Sequence, residues 1–187
     1  MTSADSCIDK KINIQGTNNR YQIKKVMKTD KEVKKRIVSE NWNFTLENDK
    51  QLIILNQLFF DSISENKIYT DIESTIMLQQ IKQKINGYKR QDVIKNIWDE
   101  THFIDITHVI SKLIDVKALC YYCKQQMSIL YDVSREMKQW TVDRIDNDKG
   151  HTKENYHLAC LECNLKRRRQ SDAKFLFTKQ LNIIKHE

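Results

Sequence analysis

Four cysteines fall into two Cys-x-x-Cys pairs, Cys120/Cys123 and Cys160/Cys163, on either side of the stretch 124–159. Each such knuckle offers two thiolates from one turn, and two knuckles complete the tetrahedron that Zn2+ prefers. Redox Cys-x-x-Cys motifs come singly on a βαβ pattern, which is absent here. We therefore expect one structural zinc, held by all four thiolates and with no position left for chemistry. Between and after the pairs stand Asp143, Asp146, His151, Asn155, His157 and Asn164, then the cationic run Lys166, Arg167, Arg168 and Arg169. Carboxylate and amide oxygens suit Mg2+ or Mn2+. Guanidinium forks match phosphate. A plainer use of the same residues is structural: Asp143 and Asn155 as turn caps, Asn164 as a helix N-cap, and Arg144 in a surface ion pair with Asp146 or Asp148.

These side chains need a frame. "CYYCKQQM" reads as a tight turn, "WTVDRI" as an alternating strand, "NDKG" as a turn and "NYHLAC" as a second short strand. "LECNLKRRRQSDAKFLFTKQLNII" resumes one helix, with Leu165, Phe175, Leu176 and Leu181 as its apolar positions. The result is a small ββα module. It has little core of its own, so its metal would contribute folding free energy directly.

The order Cys120-x-x-Cys123, strand, Asp143, Gly150, Asn155, Cys160-x-x-Cys163-Asn164-x-Lys166 resembles the zinc-braced branch of the HNH endonucleases, over about residues 118–170. That resemblance implies a ββα-metal fold in which Asp143 and Asn164 hold a catalytic Mg2+ or Mn2+ and Asn155 pins the loop. It places Lys166, Arg167, Arg168 and Arg169 on the first turns of the last helix, beside a phosphate backbone. Where the family usually carries the water-activating His, this chain has Arg144. A guanidinium stays protonated, so Arg144 can grip phosphate but not take a proton. Three groups remain for the base: His151 in the loop, Asp146 on the opposite face of the first strand, and His157 on the second strand facing solvent. The Asp-Arg-Ile-Asp form recurs in the family, often with Gly-Tyr where this chain has Gly150-His151, and His151 is the favoured of the three. The expected function is metal-dependent hydrolysis or nicking of double-stranded DNA. The alternative is a catalytically degenerate zinc protein that binds nucleic acid or serves in structure or packaging. An RNA reader would have to stack bases on Tyr121, Tyr122 and Tyr156, which form no evident platform.

A net charge of +7 suits a polyanionic partner or a generic basic surface. An odd count of five cysteines without an export signal argues against a disulfide framework, and leaves Cys7 as a free thiol. No apolar run reaches the ~20 residues of a membrane span. The start MTSADSCIDKK has no apolar core, so no secretory signal is expected. The expectation is a soluble intracellular protein without a membrane partner, in cytoplasm or nucleus, a virus-infected host's included, and of viral or mobile-element type.

With no proline and three glycines, the chain should be mainly α with a small α+β module. Residues 1–28 read as a polar tail, 29–115 as a helical region of unknown role, and 116–187 as the zinc-bound HNH-like module with its C-terminal helix. In the helical region, "KEVKKRIVSENW" is capped by Thr29 or Asp30, with Val33, Ile37 and Val38 on one face. "LENDKQLIILNQLFFDSI" is wide enough in its apolar stripe to be buried. "DIESTIMLQQIKQKI" should end at Gly87. "RQDVIKNIWDETHFIDITHVISKLIDVKALC" gives one or two helices, and its His102 and His108 read as ordinary helix residues.

Overall fold

The computed structural model describes residues 33–44, 47–63 and 71–181; the 1–28 tail, Cys7, Thr29 and Asp30 lie outside them. The elements below all lie within the unit Lys35–Glu187.

Apolar spacing and caps set three helices: α1 (Asn48–Ile63), α2 (Ile72–Ile94) and α3 (Ile106–Asp115). Asp71 caps α2 by accepting from Glu73 N at 3.3 Å, and Asp105 caps α3 by accepting from His108 N at 2.8 Å. Leu55 and Leu58 of α1, Met77 and Ile81 of α2, and Val109, Ile110 and Leu113 of α3 are buried together. Their three- and four-residue spacing places each set on one helical face, and the three helices pack on one another. Gln51 of α1 reaches the following loops, where its Oε1 accepts from Ile129 N at 2.8 Å and Leu130 N at 2.7 Å.

Three sequence expectations change here. The helix expected from Thr29 to Trp42 is, among the described residues, a short 3-10 turn at Ile37–Ser39, with Ile37 and Val38 exposed. Lys35 instead pairs with Val133, and Arg36 N donates to Asp132 O at 2.7 Å. Backbone amides spent on that neighbouring segment cannot close a helical ladder. Second, α2 does not stop at Gly87. Its buried stripe continues through Ile81, Ile85, Tyr88 and Asp92, and that packing outweighs the weak propensity of one glycine. Nothing lies within 4 Å of the position a Cβ would take at Gly87. Gly87→Ala is therefore expected to stabilise the protein by up to about 1 kcal/mol, a rise in melting temperature of about 2–4 °C.

Downstream, β1 (Trp140–Arg144) and β2 (Tyr156–Cys160) pair antiparallel, with Trp140 opposite Cys160, Asp143 opposite His157 and Arg144 opposite Tyr156. The third change follows. The single helix expected after Cys160 is two, α4 (Leu161–Arg167) and α5 (Asp172–Gln180). Arg168 breaks the run at φ 54°, and Ser171 restarts it by accepting from Lys174 N at 3.4 Å. Phe175, buried edge-on against Tyr122 at 4.9 Å, holds α5 against the module. The described residues thus make five helices and one two-stranded sheet. None of these helices is long and apolar enough to cross a membrane.

Candidate metal centre and catalytic cleft

The first knuckle is closed by its own backbone. Lys124 N donates to Cys120 O at 3.0 Å and Cys120 N to Gln125 O at 2.9 Å, with Lys124 at φ 57°. In the second, Cys160 ends β2 and caps α4, so Cys163 follows within the first helical turn. The four sulfurs all lie within 4.8 Å of one another, with Cys123 and Cys160 at 3.9 Å. Tetrahedral Zn–S bonds of ~2.3 Å place sulfurs ~3.8 Å apart, so the spacing fits. Cys160 N lies 3.3 Å from Cys120 Sγ as a further donor to sulfur. Hydrogen bonds from Cys160 and Cys163 hold the Cys120 thiol far below its usual range. The same bonding to Cys120 pushes Cys160 up to about 12 and Cys163 higher still. Four thiolates this close repel one another; a divalent cation removes that obstacle and releases the protons. The four cysteines can therefore coordinate a metal such as zinc.

A cleft of 420 Å3 runs along β1 between α2 and α4. Val142 N donates to the Tyr88 hydroxyl at 3.0 Å, which ties α2 to β1. Opposite, α4 packs on both strands. Asp143, Arg144, His151 and Asn164 all line this cleft, so the structure brings together four of the expected site residues.

Asn164 is oriented by its neighbours. The Thr141 hydroxyl gives its one proton to Ala159 O at 2.7 Å, so it can only accept from Asn164 Nδ2, at 3.0 Å. That assigns the amide nitrogen to Thr141 and leaves Asn164 Oδ1 as the atom that can ligate. Asp143 is 4% exposed. Tyr122 donates to its Oδ2 at 2.6 Å and Arg167 Nη2 to its Oδ1 at 3.0 Å, while Arg167 Nε lies 2.7 Å from Oδ2.

Arg167 was expected to face a phosphate backbone. It is instead 1% exposed, paired with Asp143 and donating to Gln170 O at 2.7 Å and to Arg144 O. Geometry explains the difference. Asn164 and Arg167 are three apart on one helical face, and they cover Thr141 and Asp143, two apart on one strand face. The other three cations are exposed. Lys166 pairs with Glu162 on the surface of α4. Arg168 and Arg169 line a second depression of 540 Å3 with Lys95 and Arg144, and Arg144 borders both cavities. Arg144 Nη1 donates to Lys149 O at 3.0 Å.

Asn155 closes the loop between the strands. Its Nδ2 donates to Asp146 O at 2.9 Å and Gly150 O at 3.0 Å, and its Oδ1 accepts from Asp146 N at 2.9 Å. Asp146 lies beyond the end of β1, where its carboxylate accepts from Asp148 N at 3.0 Å and lines the second depression. His157 is not turned freely to solvent. It stacks on Tyr121 at 3.6 Å between ring centroids, and its Nε2 lies 3.2 Å from Asp172 Oδ2. Neither residue lines the 420 Å3 cleft.

His151 does, and it has a partner that sequence reading missed. Asp92 of α2, 0% exposed, lies with Oδ1 2.7 Å from His151 Nδ1 and accepts from His151 N at 2.6 Å through Oδ2. The ring packs on Tyr88 with centroids 4.7 Å apart. A carboxylate at Nδ1 fixes the tautomer, so Nε2 keeps its lone pair. Burial lowers the His151 pKa below its ordinary value and outweighs the opposing pull of Asp92, so the imidazole is neutral at pH 7. The loop can come this close because residue 150 is glycine: a Cβ there would stand 2.5 Å from Ile97 O. The signal for Asp92 was legible. It follows Ile81, Ile85 and Tyr88 at core spacing, and a carboxylate in an apolar stripe needs a buried partner.

No family model, curated protein or solved structure matches this chain in comparisons with known proteins.

Proposed function

We propose that the cleft hydrolyses phosphodiester bonds in double-stranded DNA in the manner of an HNH endonuclease, on a module whose four cysteines hold a structural zinc. The observation that carries this reading is the buried Asp92–His151 pair in the same cleft as Asp143, Arg144 and Asn164. Asp143 Oδ1 accepts one hydrogen bond from the protein, and a carboxylate oxygen has room for a second contact. With Asn164 Oδ1 it forms a pair of hard oxygen donors suited to Mg2+ or Mn2+. Such an ion supplies Lewis-acid stabilisation of the scissile phosphate and the leaving oxygen. His151 Nε2 takes the proton of the attacking water. Asn155 holds the loop that carries His151, and Arg144 binds a phosphate oxygen. Arg168, Arg169 and Lys166 seat the backbone, and Lys95 joins them from α2's end.

A second reading, a zinc-braced nucleic-acid binder without catalysis, is favoured by one observation: Arg167 already neutralises Asp143. Supercoiled plasmid incubated with the protein and Mg2+ or Mn2+ separates the two. Nicked or linear product that requires the added cation supports hydrolysis. A plasmid shifted on a gel but left intact supports the binder.

The cleavage rate should rise with pH along an acid limb centred below 6.5, because only the neutral imidazole accepts a proton and burial lowers its pKa. Asp92→Asn should lower the plateau about 10²-fold and move the limb to lower pH, since Asp92 is what raises the His151 pKa. A role confined to packing would lower the rate without moving the limb.

A further inference from the structure

Beside the cleft lies a second cavity of 150 Å3 that shares Lys84 with it. Arg36, Tyr131 and Trp140 form its other principal walls. The Arg36 guanidinium sits 4.4 Å above the Tyr131 ring and donates to Tyr131 O at 3.0 Å and Gln80 Oε1 at 2.7 Å. Lys84 Nζ lies 5.1 Å from the centroid of that same ring and 4.8 Å from that of Trp140. It donates to Gln139 Oε1 at 2.9 Å and to Trp140 O. A guanidinium has five N–H donors and an ammonium three, so both cations keep donors that these neutral acceptors leave unused. Among the described residues neither has a carboxylate within ion-pair distance.

Two cations bordering one cavity without a counter-charge raise the free energy of the empty state. Burial, then the charge of Arg36, brings the Lys84 pKa down to about 7. An anion in the cavity offsets the repulsion between the two cations and favours the charged form of Lys84.

We propose that Arg36 and Lys84 form a subsite for the phosphodiester that neighbours the scissile one on the same DNA strand. This rests on the phosphodiesterase reading of the cleft. Lys84 borders the cleft on one side, and Arg144 opens it toward Lys95, Arg168 and Arg169 on the other. A strand held by cations on both sides of the reacting phosphate is cut internally rather than trimmed from an end.

The test is a fluorescence-anisotropy titration of a labelled duplex against the full chain, without added Mg2+ or Mn2+, over a series of salt concentrations. Arg36→Gln and Lys84→Gln should each weaken binding several-fold and reduce the slope of log K against log salt by about 0.9. Lys50→Gln, on α1 outside the cavity, should change neither. Thermal melts confirm folding, and Arg36→Gln, on a half-buried side chain, decides the matter if Lys84→Gln does not fold. Folded variants with wild-type affinity and slope would overturn the subsite. So would inorganic phosphate that raises the melting temperature of wild type but not of Lys84→Gln, with duplex binding equal in both: the cavity would then hold phosphate but not DNA. If duplex binding depends on both cations while plasmid is never cut, Arg36 and Lys84 hold a DNA phosphate but no scissile neighbour, and the phosphodiesterase reading falls together with the subsite's place beside it.

Discussion

Cys163→Ser is expected to abolish zinc binding at the proposed four-cysteine site and to melt residues 118–170 out of the folded protein. Cys120, Cys160 and Cys163 are buried, and Cys160 and Cys163 begin α4. Losing the metal therefore loosens the helix that carries Asn164 and Arg167. Zinc bound by small cysteine modules contributes about 10–16 kcal/mol of apparent binding free energy near pH 7. A whole domain is commonly stable by only about 5–15 kcal/mol, so the site has no reserve to absorb the loss. A strong chelator should act like the substitution. Metal analysis and circular-dichroism melting check both: zinc falling from one per chain to none, and the cooperative transition lost or broadened. Cys7→Ser, outside the two pairs, should leave both unchanged. A Cys163→Ser protein with wild-type melting would refute a folding role for the metal.

Asp143→Ala should abolish detectable cleavage, and it should do so through two separable effects. It removes one of the two proposed oxygen ligands, a loss of about 10²–10³-fold for one such electrostatic element. It also leaves Arg167 charged and unpaired in the interior, where breaking one side of a buried ion pair costs about 3–5 kcal/mol. The Tyr122 hydroxyl loses its acceptor as well. Double substitution Asp143→Leu with Arg167→Met takes out both charges, and well-packed apolar replacements of a buried pair are often neutral or stabilising. The double variant should recover part of the melting temperature, the Tyr122 hydroxyl still lacking its acceptor, and none of the cleavage. Recovery of cleavage would show that Asp143 serves only to neutralise Arg167. Arg167→Met alone should lower stability while leaving the salt dependence of DNA binding unchanged, in contrast to Arg168 and Arg169.

Residues 118–170 were the most legible part of the chain, because their signals are local. Two Cys-x-x-Cys pairs, an alternating "WTVDR" and the turn after it need only neighbours in sequence to take shape. Asn155 was placed by the family resemblance, and its three hydrogen bonds close onto residues 146 and 150. Contacts across long sequence separations were harder. Asp92 meets His151 from 59 residues away, and Arg36 meets Tyr131 from 95. The run Lys166–Arg169 looked uniform because composition does not record which way a helix faces, and only packing of α4 on β1 sends Arg167 inward. Gly87 and the break at Arg168 show local propensity on both sides of the balance. The first was overridden by a buried stripe, and the second was marked by Ser171, a capping residue hidden in a basic run.

Manganese uptake by the zinc-loaded protein, followed by electron paramagnetic resonance, is the most direct measurement of whether Asp143 and Asn164 share a second ion. Wild type should bind one Mn2+ per chain, and Asp143→Asn and Asn164→Ala should lose it while each retains its zinc. Equal Mn2+ uptake by all three proteins, or none by the wild type, would contradict the assignment of this cleft as a metal-dependent site.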